Sequence, residues 1–122
     1  FPTRRSSDLN INNTQFLFQA SIWPEKLPAS TNRYVWSAKR DSIFIYNNNK
    51  LENIIIAGHA FSILLYDEST KKITMRNPWG ECTLKDDGQF GVQAIVYTNG
   101  IMSVDKDDVC NLMDFCYSYH DK

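Results

Sequence analysis

The chain has little of what several specialised protein classes need. It contains three cysteines and two histidines in 122 residues, and no Cys-x-x-Cys pair occurs. An odd set of cysteines without paired spacing predicts neither a disulfide framework nor a zinc knuckle, and two imidazoles supply few metal ligands. We therefore expect no metal and no other cofactor.

An excess of charge and long apolar runs are also lacking. Thirteen Lys and Arg against 14 Asp and Glu leave a formal net charge of −1, which gives no electrostatic case for binding nucleic acid or an acidic membrane surface. The longest apolar stretches, 54–57 and 63–66, are far shorter than the roughly 20 residues of a membrane-spanning helix. The expected partners therefore include neither nucleic acid nor a membrane.

The length of 122 residues predicts one domain at most. With 43% hydrophobic and 13% aromatic residues, the composition is that of an ordinary globular protein. Residues 1–9, FPTRRSSDL, look like a translated cloning or sequencing leader, and we expect the native chain to have been cut before Asn10. Their two arginines precede no apolar segment, so this stretch does not predict a secretory signal.

Hydrophobic patterning predicts a sheet that is mostly antiparallel. Strands are expected at 15–22, 34–37, 42–46 and 92–97, with loops or turns at 23–33, 47–50 and 86–89. Residues 54–67 are apolar and lack the helical period of 3.6, which predicts one central strand buried on both faces. Residues 72–77 alternate, with Ile73, Met75 and Asn77 on the predicted buried face.

One helix is predicted near the C-terminal end. Asp105 is a candidate N-cap, and Asp108 lies three residues on as its capping-box partner. Apolar residues then recur at i, i+3, i+4 and i+7, namely Val109, Leu112, Met113 and Cys116. The predicted fold class is therefore α+β, a mostly antiparallel sheet with one C-terminal amphipathic helix packed on it.

A histidine and an asparagine lie 18 residues apart, in the strings Gly-His-Ala-Phe-Ser (58–62) and Arg-Asn-Pro-Trp-Gly (76–80). A polar turn at 67–72 has hairpin length, so strand pairing would bring Asn77 within a few residues of His59. The two share a face only if the register is even. Singly, such a histidine is more often a core residue and Asn-Pro often ends a strand, but their conjunction favours a site.

His59 and Asn77 are the residue types that activate a thiol nucleophile. A thiol attacks a peptide carbonyl as thiolate, so it needs an imidazole to take and return the proton, and a third group to fix the ring. No cysteine precedes the histidine; those that follow it are Cys82, Cys110 and Cys116. Cys82 lies beyond Trp79, past the predicted catalytic strand, which argues against it as a substitute nucleophile.

The two strings resemble the His and Asn segments of the calpain-type branch of the papain-like cysteine peptidases. Pro78 after the asparagine favours the calpain side. The resemblance covers about residues 54–90, extends more weakly to about 117, and does not include residues 1–53. It implies a cysteine-type endopeptidase, with His59 as base and then acid, Asn77 as its orienting group, and Trp79 packed over their contact as a shield from water.

The resemblance further implies that residues 10–122 are the C-terminal β-subdomain of a papain-like catalytic core. In papain-type enzymes the cysteine lies about 130 to 150 residues before the histidine, and only 58 residues precede His59. We therefore expect the cysteine to belong to a missing N-terminal subdomain, which is the expected partner together with a peptide or protein substrate. The alternative is a non-catalytic, peptidase-like binding module.

Calcium-binding members of the family use acidic residues after Asn-Pro-Trp-Gly and in an Asp-Gly-Glu turn. Here the loop is cut to residues 81–84, and Gln89 has an amide in place of that carboxylate. Calcium prefers six or more oxygen ligands, several of them charged, so we expect no calcium site. The family's glycine turn aligns with either 86–88 or 99–100.

Overall fold

The computed structural model describes the backbone of Thr14–Gln19, residues 33–113 and Tyr119–Asp121, and the side chains of residues 33–113. Within these ranges the chain forms strands and one α-helix. In chain order they are β1 (Thr14–Gln19), β2 (Tyr34–Ser37), β3 (Ser42–Asn47), β4 (Lys50–Ile56), β5 (Ala60–Asp67), β6 (Lys72–Arg76), β7 (Cys82–Lys85), β8 (Ala94–Tyr97), β9 (Ile101–Asp105), α1 (Lys106–Leu112) and β10 (Tyr119–Asp121). The α+β class is confirmed.

The strands form three antiparallel sheets. A five-stranded sheet has the order β10-β1-β5-β6-β9, a three-stranded sheet has the order β2-β3-β4, and β7 pairs with β8. Sequential strands pair as hairpins in β2-β3-β4, β5-β6 and β7-β8. The predicted mostly antiparallel arrangement is therefore confirmed.

The main core joins the five-stranded sheet, the three-stranded sheet and α1. Its buried members include Ile43 and Ile55 from the three-stranded sheet, Ile73 and Met75 from β6, and Val109 from α1. The opposite face of the three-stranded sheet carries a second cluster of Phe44, Tyr46 and Ile54, against which Leu84 of β7 packs. The strand buried on both faces is thus β3, where Ser42–Tyr46 are all buried.

The prediction of one strand over 54–67 is wrong. The segment is divided between β4 and β5, which belong to different sheets, with a turn at Ala57 and Gly58. Gly58 has a φ of +61°, a conformation that costs glycine little and that other residues avoid. β5 is also not buried on both faces, since Leu64 and Leu65 are exposed. A turn inside an apolar segment is hard to predict here, because its residues Ala and Gly are not polar.

α1 is confirmed as a helix with a buried face formed by Val109 and Leu112, and Met113 follows it. The predicted capping box is wrong, because the Asp105 side chain makes no capping hydrogen bond. Asp105 instead pairs with Lys72 and Arg33, and Asp108 is buried against Arg33. Long-range ion pairs therefore replace the local cap.

The remaining strand predictions are confirmed in outline. The strand expected at 15–22 is described over Thr14–Gln19, and the one expected at 92–97 begins at Ala94. β7 and β9 were not predicted. Residues 20–32, which include most of the loop expected at 23–33, and Cys116 lie outside the described residues. Where the chain is described, none of its helices has the length and apolar character needed to cross a bilayer.

Candidate active site

His59 lies on the connection between two sheets. β4 ends at Ile56, the turn at Ala57 and Gly58 redirects the chain, and β5 begins at Ala60. The imidazole is half-buried, and its Nε2 atom lies 2.6 Å from Oδ1 of Asn77. Asn77 directly follows β6 and is 3% exposed. The structure therefore brings the two predicted residues into hydrogen-bond contact.

A shift in strand register places His59 and Asn77 on one face. Leu65 pairs with Thr74 near the turn, whereas Ser62 pairs with Arg76 beyond an irregularity between Ile63 and Leu65. The second register, extended by one pair, sets Asn77 opposite the residue at 61, two positions from His59. Without the shift Asn77 would oppose Ser62 and point away from His59, because side chains alternate along a strand.

The Asn77 side chain determines which nitrogen of His59 carries the proton. Oδ1 of Asn77 accepts the backbone N–H of Trp79 at 3.1 Å, which fixes that atom as the amide oxygen. Since an amide oxygen only accepts, Nε2 of His59 must be the donor in the 2.6 Å contact. Nδ1 then has a free lone pair, and no hydrogen bond joins it to the described part of the chain.

Two aromatic rings hold the imidazole. Trp79 lies with its ring centroid 4.7 Å from that of His59, and Phe61 makes an edge-to-face contact at 5.0 Å. Phe61 is buried, but Trp79 is 54% exposed. Trp79 therefore covers one side of the ring and is not part of the core, so core packing is not its role.

The backbone of Asn77 is anchored to Gly100. The N–H of Asn77 donates to the Gly100 carbonyl at 2.8 Å, and Gly80 N–H closes a turn onto the Asn77 carbonyl at 3.1 Å. Of the two glycine turns predicted from the sequence, the one at 99–100 is thus the one in contact with Asn77. Gly100 was recognised from the sequence only as a turn residue, because nothing local shows which strand end a turn will meet.

None of the cysteines with described side chains contacts His59. Cys82 is half-buried in β7 opposite Tyr97 and packs against the main core. Cys110 lies on the exposed side of α1. The contacts of His59 are with Asn77, Phe61 and Trp79. A nucleophile for this imidazole would have to come from outside residues 33–113.

Asp86, Asp87 and one acidic group next to α1 have protein partners. Asp86 accepts hydrogen bonds from Tyr46, Gly88 and Gln93, and Asp87 pairs with Arg40 at 2.9 Å. A second acidic group has ligand atoms within 4.8 Å of one another; it consists of Glu52, Asp105 and Asp108. Arg33 bridges all three of its members, so a guanidinium occupies the position that a metal would need.

Comparison of the chain with protein-family models, with curated proteins and with solved structures gave no match.

Proposed function

We propose that the chain is the C-terminal β-subdomain of a calpain-like cysteine endopeptidase, with His59 as general base and Asn77 as its orienting residue. The observation that carries the proposal is the 2.6 Å contact between Nε2 of His59 and Oδ1 of Asn77. The same oxygen accepts the Trp79 N–H, so the neutral form of the ring carries its proton on Nε2 and leaves Nδ1 as an acceptor. An unprotonated ring nitrogen is what a thiol needs as its proton acceptor.

In the proposed reaction a cysteine thiol gives its proton to Nδ1 of His59, and the thiolate attacks the carbonyl carbon of the scissile peptide bond. The tetrahedral intermediate then expels the amine, which takes the proton from Nδ1, and a thioester remains. Water gives a proton to Nδ1 as it attacks the thioester, and that proton returns to the thiol on release of the acid. Asn77 accepts from Nε2 throughout and stays neutral.

The thiol is proposed to come from a partner subdomain that packs against the Nδ1 side of His59. This assignment follows from the contacts of His59, which include no cysteine among residues 33–113. Trp79 would stay at the edge of that contact, because half of its surface is exposed beside the imidazole. Once covered, it would exclude water from the His59 and Asn77 pair and strengthen their hydrogen bond.

A second candidate is a peptidase-like module that binds a peptide without cleaving it. The observation that favours this candidate is that no cysteine contacts His59 in the part of the chain that the structure describes. The two candidates differ in whether a thiol reaches Nδ1. Activity, and not binding, therefore separates them.

The test is hydrolysis of a fluorogenic peptide by the longest protein that the gene encodes around this chain. His59→Ala should lower kcat/KM by at least about 100-fold, since general base catalysis contributes about 10² to 10⁴. Asn77→Ala should leave more activity, because it only orients the base. His120→Ala removes the chain's other imidazole and is the matched control. Activity of His59→Ala equal to wild type contradicts the proposal, and no activity sensitive to thiol alkylation favours the binding module.

A further inference from the structure

A groove of about 450 Å³ opens beside the candidate active site. Its floor is apolar and is made by Ile54 and Ile56 of β4 and by Leu84 of β7. Trp79 forms one of its walls, and the Trp79 ring also contacts the imidazole of His59. A ligand that lies in this groove against Trp79 would therefore extend toward His59.

The rim of the groove is cationic. Lys39, Arg40 and Lys85 line it, and among the residues that the structure describes no acidic one does. Arg40 is partly neutralised by its 2.9 Å salt bridge to Asp87. Lys39 and Lys85 are both exposed, and neither forms a salt bridge with a residue that the structure describes, although the Asp87 carboxylate interacts electrostatically with Lys39. Two ammonium groups above an apolar floor form a local positive site on a chain whose formal net charge is −1.

We propose that this groove binds an acidic segment of the peptide substrate, with apolar side chains on the floor and Asp or Glu carboxylates at Lys39 and Lys85. The inference rests on the proposed peptidase function, because it treats the ligand as a substrate that continues past Trp79 toward His59. It assigns the site a preference for glutamate or aspartate near the cleaved bond. Charge complementarity selects the ligand, and continuity with the Trp79 ring gives it a place in the reaction.

A peptide suits the groove better than a nucleic acid does. Single-stranded nucleic acids bind along a positive track in which several aromatic rings stack with successive bases. Here Trp79 is the one aromatic residue among the described residues that line the groove, and the floor is aliphatic. Aliphatic side chains of a peptide bury well on such a floor, whereas the polar edges of bases would lose water there without gaining hydrogen-bond partners.

The test is direct binding to the chain, without turnover. Two fluorescein-labelled hexapeptides are compared by anisotropy, Gly-Leu-Glu-Leu-Glu-Gly and Gly-Leu-Gln-Leu-Gln-Gly. The Glu peptide should bind several-fold more tightly. The difference should shrink between about 0.02 M and about 0.5 M sodium chloride, because salt screens exposed charges.

Variants locate the binding. Lys39→Ala and Lys85→Ala should each weaken the Glu peptide by up to about fivefold, the upper range for an exposed ion pair, and leave the Gln peptide unchanged. Lys50→Ala removes an exposed cation at the opposite end of β4 and should change neither. In Lys85→Glu, a third peptide with Lys in place of Glu should gain affinity. Circular dichroism and the denaturation midpoint confirm that each variant is folded.

Equal affinity for the Glu and Gln peptides, or equal effects of Lys85→Ala and Lys50→Ala, would overturn the proposal. Tighter binding of an oligothymidylate of the same charge would assign the groove to nucleic acid and overturn it too. Because binding is measured without catalysis, the binding result can be interpreted even if the peptidase proposal is wrong. A groove that binds the Glu peptide in a protein without activity would be a recognition surface of the binding module.

Discussion

Gly100 holds Asn77 at a distance that no other residue type allows. The Gly100 carbonyl accepts the Asn77 N–H at 2.8 Å, and a Cβ on Gly100 would overlap the Asn77 carbonyl oxygen. Gly100 also has a φ of +74°, which disfavours residues with a side chain. A glycine 23 positions along the chain thus fixes the residue that orients His59.

Gly100→Ala should displace Asn77 and loosen its bond to His59. We expect a loss of about 2 to 5 kcal/mol in the free energy of unfolding, since the positive φ costs about 1 to 2 kcal/mol and overpacking adds about 1 to 3 kcal/mol. Chemical denaturation measures the loss, and ¹⁵N NMR of the His59 ring reports the changed contact.

Gly91→Ala is the matched control for the Gly100 variant. Gly91 has a similar φ of +87°, but a Cβ added there would meet nothing within 4 Å beyond its chain neighbours. It should show the cost of the positive φ alone, without a change in the ring signals of His59. Identical effects of the two substitutions would show that Gly100 does not position Asn77.

Trp79→Ala should affect the site more than the fold. The Trp79 side chain is 54% exposed, so the main loss is its contact with the imidazole, and aromatic contacts of this kind contribute about 0.5 to 1.5 kcal/mol. Trp36→Ala is the control, since Trp36 is partly buried against the main core and should lose more, up to the about 3 to 5 kcal/mol of a fully buried Trp. A larger loss of stability for Trp79 than for Trp36 contradicts this assignment.

Alternation in β6 made the position of Asn77 predictable, but not its pairing with His59. Ile73, Met75 and Asn77 are buried as the period of two predicts. The register between β5 and β6 shifts at Leu64, and the shift decides whether Asn77 lies on the same face as His59. Leu64 and Leu65 are both exposed, 46% and 52%, although their apolar character resembles that of core residues. Sequence patterns therefore left the geometry of the pair undetermined.

Contacts between residues far apart in the sequence account for most of the other differences between the predictions and the structure. Asp105 and Asp108 fit a local capping box, but Arg33, more than 70 positions away, pairs with both. The cationic groove joins Lys39 and Arg40 to Lys85 only because the turn between β2 and β3 and strand β7 line the same groove. A local pattern carries no information about such neighbours. The helix and the hairpin could be predicted because their periodic patterns depend on residues two to four positions apart.

Asp86 should make the stability of the protein depend on pH in the acid range. Burial raises the pKa of Asp86, but hydrogen bonds from Gln93, Tyr46 and Gly88 outweigh it and lower the pKa below its ordinary value of 3.8. Because the unfolded chain binds this proton more readily, Asp86 stabilises the fold at neutral pH. That contribution is lost as the pH falls below about 4 through the lowered pKa.

Asp86→Asn removes this titration and should cost about 1 to 3 kcal/mol at pH 7, where the charged hydrogen bonds are lost. Denaturation midpoints at neutral and acid pH measure both effects, and the variant should lose less stability on acidification than wild type. Asp107→Asn, at an exposed position of α1, is the control. A pH dependence in Asp86→Asn as steep as that of wild type would show that Asp86 is not the group responsible.

Calcium should not stabilise the wild-type chain, because Asp86, Asp87 and the acidic group next to α1 already have partners. Asp86 accepts three hydrogen bonds, Asp87 pairs with Arg40, and Arg33 bridges the acidic group near α1. Melting temperatures with millimolar calcium and with a chelator should agree, whereas saturation at about 100 times a dissociation constant would add about 2.7 kcal/mol.

Arg33→Gln is the positive control: it leaves three carboxylates without their guanidinium, so calcium should restore part of the stability that this variant loses. A calcium-dependent rise in the wild type would contradict the prediction and indicate a metal site.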